Sequence, residues 1–127
     1  LRYAGLSGEI DPLEALIKWR EARSGISWPA AAGLIGIGPD AHTASLFPAL
    51  GIATDVDLSD AVIIDPPTAF PHPRVTLGLA LLCQCNNLAL VAADSEKMQA
   101  LQLSMDQTEN YPLGLISKST DLTIFTI

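Results

Sequence analysis

The sequence predicts an α/β fold, a mostly parallel sheet with helices on its faces, in a single domain over residues 1–127. Three observations carry that expectation. Apolar stretches of strand length alternate with segments of helical spacing, an order that favours parallel pairing through helical crossovers. One predicted strand runs directly into the turn Gly36-Ile37-Gly38-Pro39, and open α/β sheets bind ligands at such carboxyl strand ends. A hydrophobic content of 49% over 127 residues supports one core and argues against disorder.

Each element has a local reason. Asp11-Pro12-Leu13-Glu14 reads as a helix start, with Asp11 as cap, Pro12 at the first helical position and Glu14 completing a capping box. Leu13, Leu16 and Ile17 then form an apolar stripe, Glu14 and Lys18 pair four apart on the wet side, and Ser24-Gly25 ends the helix. Residues 30–37 read as a buried strand, and residues 43–47 as a short helix stopped by Pro48. Residues 49–59 read as a surface loop with scattered acids, and 61–65 as a short β-branched strand. The stretch 66–73 holds four prolines, which remove donors and fix φ, so it forms a rigid irregular loop that delivers Arg74. Residues 76–84 read as helix and 87–93 as a buried strand. Ser95 caps a helix to about Leu103, 111–116 form a last helical turn, and 122–127 a final strand.

Charge narrows the function classes. Seven basic and fourteen acidic residues leave a net charge of −7, the opposite of a nucleic-acid footprint. An anionic ligand would need a local cationic site, which singles out Arg74 and Lys97 among few cations. No signal peptide and no apolar run near the roughly 20 residues of a membrane span is visible, so a soluble, cytoplasmic chain is expected. Cys83 and Cys85, two apart in the predicted helix, point to different faces and are expected to be buried free thiols.

The chemistry concentrates at Gly36-Ile37-Gly38-Pro39-Asp40-Ala41-His42-Thr43-Ala44-Ser45-Leu46-Phe47-Pro48. Gly36 and Gly38 let a ligand approach the backbone, and amides at the following helix start would favour an anion or oxyanion. His42 is a candidate general base, since imidazoles as a class titrate near neutrality, and Asp40 is near enough to orient it. Asp40 is equally suited to cap the predicted 43–47 helix. A lone histidine or a helix lysine is more often structural or solvated, and His72, between prolines, reads as a loop residue. It is the company His42 keeps that favours catalysis.

This segment resembles the Gly-x-Gly-x-Asp-Gly-His-Thr-Ala-Ser-Leu-Phe-Pro signature of the 6-phosphogluconolactonases. Pro73-Arg74-Val75-Thr76-Leu77 is similar to the family's Arg-Ile-Thr element, Ser95-Glu96-Lys97 to its Glu-Lys helix start, and 122–127 to its last core strand. The resemblance implies a Rossmann-like fold and hydrolysis of 6-phosphoglucono-δ-lactone to 6-phosphogluconate, a step of the pentose phosphate pathway. It further implies His42 as the base that activates water, Asp40 as its support, Arg74 and Lys97 at the substrate phosphate, and neither metal nor cofactor. Ala41 stands where the family has Gly, so it takes either negative φ or the left-handed region at roughly 1 kcal/mol or more. The family's Gly/Ser/Thr-rich phosphate loop and Asp-Glu-Arg element have no counterpart here, and residues 1–21 look like the region after them. The chain thus resembles the C-terminal half to two-thirds of such an enzyme, an incomplete version of the fold. Two alternatives stay open: a glucosamine-6-phosphate deaminase or isomerase, and a non-catalytic sugar-phosphate-binding module or inactive fragment. Oligomeric state is not legible.

Overall fold

The computed structural model describes residues 11–51, 60–68 and 70–126. The expected features before Asp11, most of the expected 49–59 loop, Ala69 and Ile127 lie outside the described residues. Along the chain run α1 (Pro12–Arg23), β1 (Gly33–Gly36), β2 (Ala61–Ile64), β3 (Arg74–Leu77), α2 (Leu79–Cys83), β4 (Asn87–Ala92), α3 (Ser95–Asp106), α4 (Pro112–Ser117) and β5 (Asp121–Thr126). β1, β4 and β5 make a parallel sheet in the order β1-β4-β5, and β2 pairs antiparallel with β3 in a separate two-stranded sheet.

β4 is the axis of the core. Its alternation puts Leu88, Leu90 and Ala92 on one face, all buried. Ile35 of β1 and Leu122 of β5 flank them, and Leu82, Ala100, Leu101, Leu113 and Ile116 from α2, α3 and α4 cover them. α4 lies so close to the turn at Thr108–Asn110 that a Cβ on Gly114 would meet the backbone oxygens of Ser104 and Thr108, each at 2.6 Å. Backbone cannot swing aside. Gly114→Ala is therefore expected to destabilise by about 1–3 kcal/mol through overpacking, although helix propensity alone favours alanine by about 1 kcal/mol. A rise in denaturation midpoint would contradict this packing.

The N-terminal helix starts as its sequence dictates. Asp11 Oδ1 accepts from the amides of Leu13 (2.9 Å) and Glu14 (3.4 Å), while Glu14 is engaged by Lys18 at 2.6 Å. The predicted apolar stripe is not buried as a unit: Leu16 and Ala15 are, but Leu13 and Ile17 stay 59% and 49% exposed. The cause is what α1 packs on, namely the β2–β3 hairpin rather than the parallel sheet. Arg20 and Arg23, in its last turn, both donate to Asp60 just before β2, at 3.0 and 3.1 Å. That ion cluster occupies two of the chain's few cations.

Several expectations are corrected. The 30–37 run forms strand only over Gly33–Gly36 and is not buried throughout, because β1 is an edge strand with Leu34 on an open face. Residues 74–77, assigned partly to a helix, are instead β3; β-branched Val75 and Thr76 pair with Ile63 and Val62. The helix begins later, at Leu79, and Cys85 falls beyond its end. Both thiols are free, and burial pushes each above its usual pKa, that of Cys85 further through neighbouring Cys83. Asp94, not Ser95, caps α3, which runs on to Asp106. The final strand is mostly exposed rather than a core strand. Strict alternation of helix and strand is broken by the β2–β3 hairpin.

Candidate active site

β1 ends at Gly36, and buried Ile37 anchors the chain as it turns away from the sheet. The loop then closes on itself: Gly38 N donates to His42 O and Ala41 N to Gly38 O, both at 2.9 Å. A second turn follows, with Leu46 N donating to Thr43 O at 2.9 Å. The expected 43–47 helix is absent, because Ala44 sits at φ +55°, which no right-handed helix accommodates. Pro48 instead opens a single 3-10 turn, Pro48–Leu50. With no helix there, Asp40 caps nothing and no helix-start amides face an anion.

Ala41 takes the left-handed option, at φ +63°. Its methyl group is buried beside Ile37 and Leu90, whereas Ala44 is exposed. Left-handed backbone costs an L-residue roughly 1–2 kcal/mol, and burying a methyl-sized group returns about 0.8 kcal/mol. Ala44→Gly, with no burial to lose, is expected to stabilise by about 0.5–1 kcal/mol after the flexibility penalty of glycine in the unfolded chain. Ala41→Gly should come out near neutral. Denaturant melts of the two variants test this, and equal shifts would contradict the difference in burial.

The carboxylate missing from a cap is on the imidazole. Asp40 Oδ1 lies 2.5 Å from His42 Nδ1 and also accepts from the His42 amide at 3.5 Å. A carboxylate can only accept, so Nδ1 carries the hydrogen, and in the neutral ring the lone pair is then on Nε2. The ring is seated between aromatic neighbours, with Phe47 at 4.8 Å and Phe70 edge-on at 5.7 Å between centroids. It also lies against Gly38: a Cβ there would overlap the imidazole and come within 2.7 Å of Asp40 Oδ1. Gly36, by contrast, faces open space. Gly36, Ile37, Gly38, His42 and Ala44 line a cavity of about 260 Å³.

The two expected cations are placed differently. Arg74 opens β3, and Thr76, on the same strand face, accepts from the amide of Ser45 at 3.0 Å, so that face meets the His42 loop. The Arg74 guanidinium lies over the Phe70 ring at 5.3 Å, one aromatic ring from His42. Lys97 follows β4, parallel neighbour of β1, so it stands at the same carboxyl end of the sheet. Its ammonium is 3.1 Å from Asp94, and it does not line the His42 cavity. The hydrogen bond from the Lys97 amide, then the Lys97 side chain, hold the Asp94 carboxyl below its usual pKa. Phe70 is the site residue that sequence reasoning missed; the available signal was an aromatic inside an otherwise rigid proline-rich loop. Among the described residues, no group of three or more His, Cys, Asp or Glu could hold a metal ion, and no helix is long and apolar enough to cross a membrane.

Fold and site together define an α/β protein of the open parallel-sheet type, with a carboxylate-oriented imidazole at the carboxyl ends of its strands. The chain belongs to the family described as glucosamine-6-phosphate isomerases/6-phosphogluconolactonase, whose sequence model matches residues 13–125. It is 37% identical over 97 residues to 6-phosphogluconolactonase of Homo sapiens, covering 76% of this chain and 37% of that one. It is 33% identical over 93 residues to chloroplastic 6-phosphogluconolactonase 3 of Arabidopsis thaliana, covering 72% and 28%. The fold superposes on a 6-phosphogluconolactonase of Shewanella baltica with a TM-score of 0.72 at 21% identity, over 91% of this chain and 52% of that one. A monomeric glucosamine-6-phosphate deaminase matches with a TM-score of 0.67 at 15% identity, over 94% and 54%. The chain thus spans about a third of the length of these curated relatives and about half that of the solved structures.

Proposed function

We propose that this segment carries the catalytic base of a 6-phosphogluconolactonase, a hydrolase acting on a phosphorylated sugar lactone. The observation that carries the reading is the Asp40–His42 pair, with Nδ1 committed to the carboxylate and the ring lining a cavity beside the strand end. His42 Nε2 takes a proton from water as the water oxygen attacks the lactone carbonyl carbon. The tetrahedral oxyanion then re-forms the carbonyl and expels the ring oxygen, which recovers the proton from the imidazolium. Asp40 stabilises that imidazolium throughout. Gly36 and Gly38 leave the cavity floor without side chains where the sugar ring would lie. Arg74 is assigned to the phosphate, with Lys97 as a second cation at the same sheet end.

The deaminase alternative needs an acid or base to move protons between adjacent sugar carbons. Residues 43–48 offer no carboxylate, and Asp40 is engaged by His42. Two assays in parallel separate the readings: acid release from 6-phosphoglucono-δ-lactone and ammonia release from glucosamine 6-phosphate. Hydrolysis above the spontaneous rate, without ammonia, is expected. Ammonia release would assign the alternative, and tight binding with no turnover would assign a binding module. Arg74→Glu is expected to raise KM at least about tenfold, the worth of a charge-assisted phosphate contact, with a smaller fall in kcat. An unchanged KM would remove Arg74 from the phosphate site.

A further inference from the structure

Among the described residues, Lys18, Arg20, Arg23, Lys97 and Lys118 each have a carboxylate partner. Arg74 is held differently. Its guanidinium lies over the Phe70 ring at 5.3 Å, and no carboxylate among the described residues pairs with it. The difference matters to an incoming anion. A carboxylate partner takes N–H donors and cancels charge, as Asp60 does for Arg20 and Arg23. An aromatic face does neither: the ring quadrupole attracts the cation, while the in-plane N–H donors stay available for a bidentate anion contact.

Phe70 is itself fixed. Its amide donates to Pro67 O at 2.9 Å, closing a turn in the proline-rich loop, and its ring packs on that of buried Phe47 at 5.0 Å between centroids. The same ring meets the His42 imidazole at 5.7 Å, with the two planes at 82°. β3, which carries Arg74, is tied to the His42 loop a second time, by the Ser45 amide donating to buried Thr76 Oγ1 at 3.0 Å. One benzene ring thus stands between imidazole and guanidinium, and both ends of that span are anchored.

We propose that Phe70 is a positioning residue that sets the span between His42 and Arg74, and with it the phosphate preference of the site. The inference rests on the lactonase reading, with Arg74 at the substrate phosphate. An exposed arginine at a strand start samples many rotamers, and the ring beneath it selects those that keep the charge one ring from the base. A phosphate bound there holds the far end of the lactone at a fixed reach from His42. Binding at the phosphate is thereby turned into alignment at the carbonyl. Without the ring, the charge remains but its location is lost.

The test compares 6-phosphoglucono-δ-lactone with unphosphorylated glucono-δ-lactone in the parent, Phe70→Leu and Phe70→Tyr. Phe70→Leu is expected to lower the ratio of the two kcat/KM values about two- to fivefold, the worth of an exposed cation–π contact. Most of that change should lie in the KM of the phosphorylated lactone. Phe70→Tyr keeps the ring and should keep the ratio. Equal losses on both lactones would make Phe70 merely structural and overturn the proposal, as would a ratio that Phe70→Leu leaves unchanged. Arg74→Gln should cost less phosphate preference in the Phe70→Leu background than in the parent, and strictly additive losses overturn the proposal too. The side-chain NMR signals of Arg74 give a readout free of activity. Ring current should displace them in the parent and in Phe70→Tyr, and not in Phe70→Leu. Undisplaced signals in the parent overturn the proposal even where lactone is hydrolysed. Displaced signals that Phe70→Leu releases, in a chain that hydrolyses neither lactone, support the positioning of Arg74 by Phe70 and count against the lactonase reading.

Discussion

Replacing His42 with asparagine is expected to slow hydrolysis of 6-phosphoglucono-δ-lactone by about 10²–10⁴-fold, the usual worth of a positioned general base. Asparagine keeps a donor toward Asp40 but has no nitrogen able to take a proton from water. Because the base acts in the transition state, kcat should carry the loss while KM moves little. Asp40→Asn makes a companion test. An amide can donate to Nδ1, moving the ring hydrogen to Nε2 and removing the base without removing the ring. If His42→Asn keeps its rate, another group is the base.

Gly38→Ala should rival that effect without touching a charged atom. The added methyl group would occupy the space of the imidazole edge, with Asp40 Oδ1 only 2.7 Å away, so the ring must turn or the loop must open. Misplacing a reacting group by about 1 Å can cost on the order of 10²-fold, and that is the loss expected in kcat. The imidazole NMR signals of His42 should shift with it, reporting a broken Asp40 contact. Gly36→Ala is the control, since its methyl group enters open space: it should leave those signals in place and affect only substrate entry. Full activity in Gly38→Ala would mean that the productive ring position lies elsewhere.

Much of the local structure was legible from neighbouring residues alone. Asp11-Pro12 set the start of α1, and the alternation through 87–92 set β4, because capping and two-residue periodicity act between residues close in sequence. The errors have one origin. Residues 74–77 became a strand because a partner strand, 61–64, was available across the proline-rich loop, and apolar spacing cannot report a partner. The 43–47 segment turned instead of coiling because Ala44 is held left-handed by closure of the loop.

For the site, the sequence by itself placed Asp40, His42 and Gly38 on one tight turn and left Asp40 suited either to a helix cap or to the imidazole. The left-handed Ala44, which removes the helix, decided for the imidazole. Only the tertiary structure decided which distant groups join them. It brought Phe70 onto the imidazole and Arg74 onto Phe70, and it left Lys97 with its own Asp94. It also decided that helices cover one face of the sheet and leave Leu34 and Phe125 in water. The alternating pattern of a strand states that a face is apolar; what lies against that face depends on where the rest of the polypeptide packs.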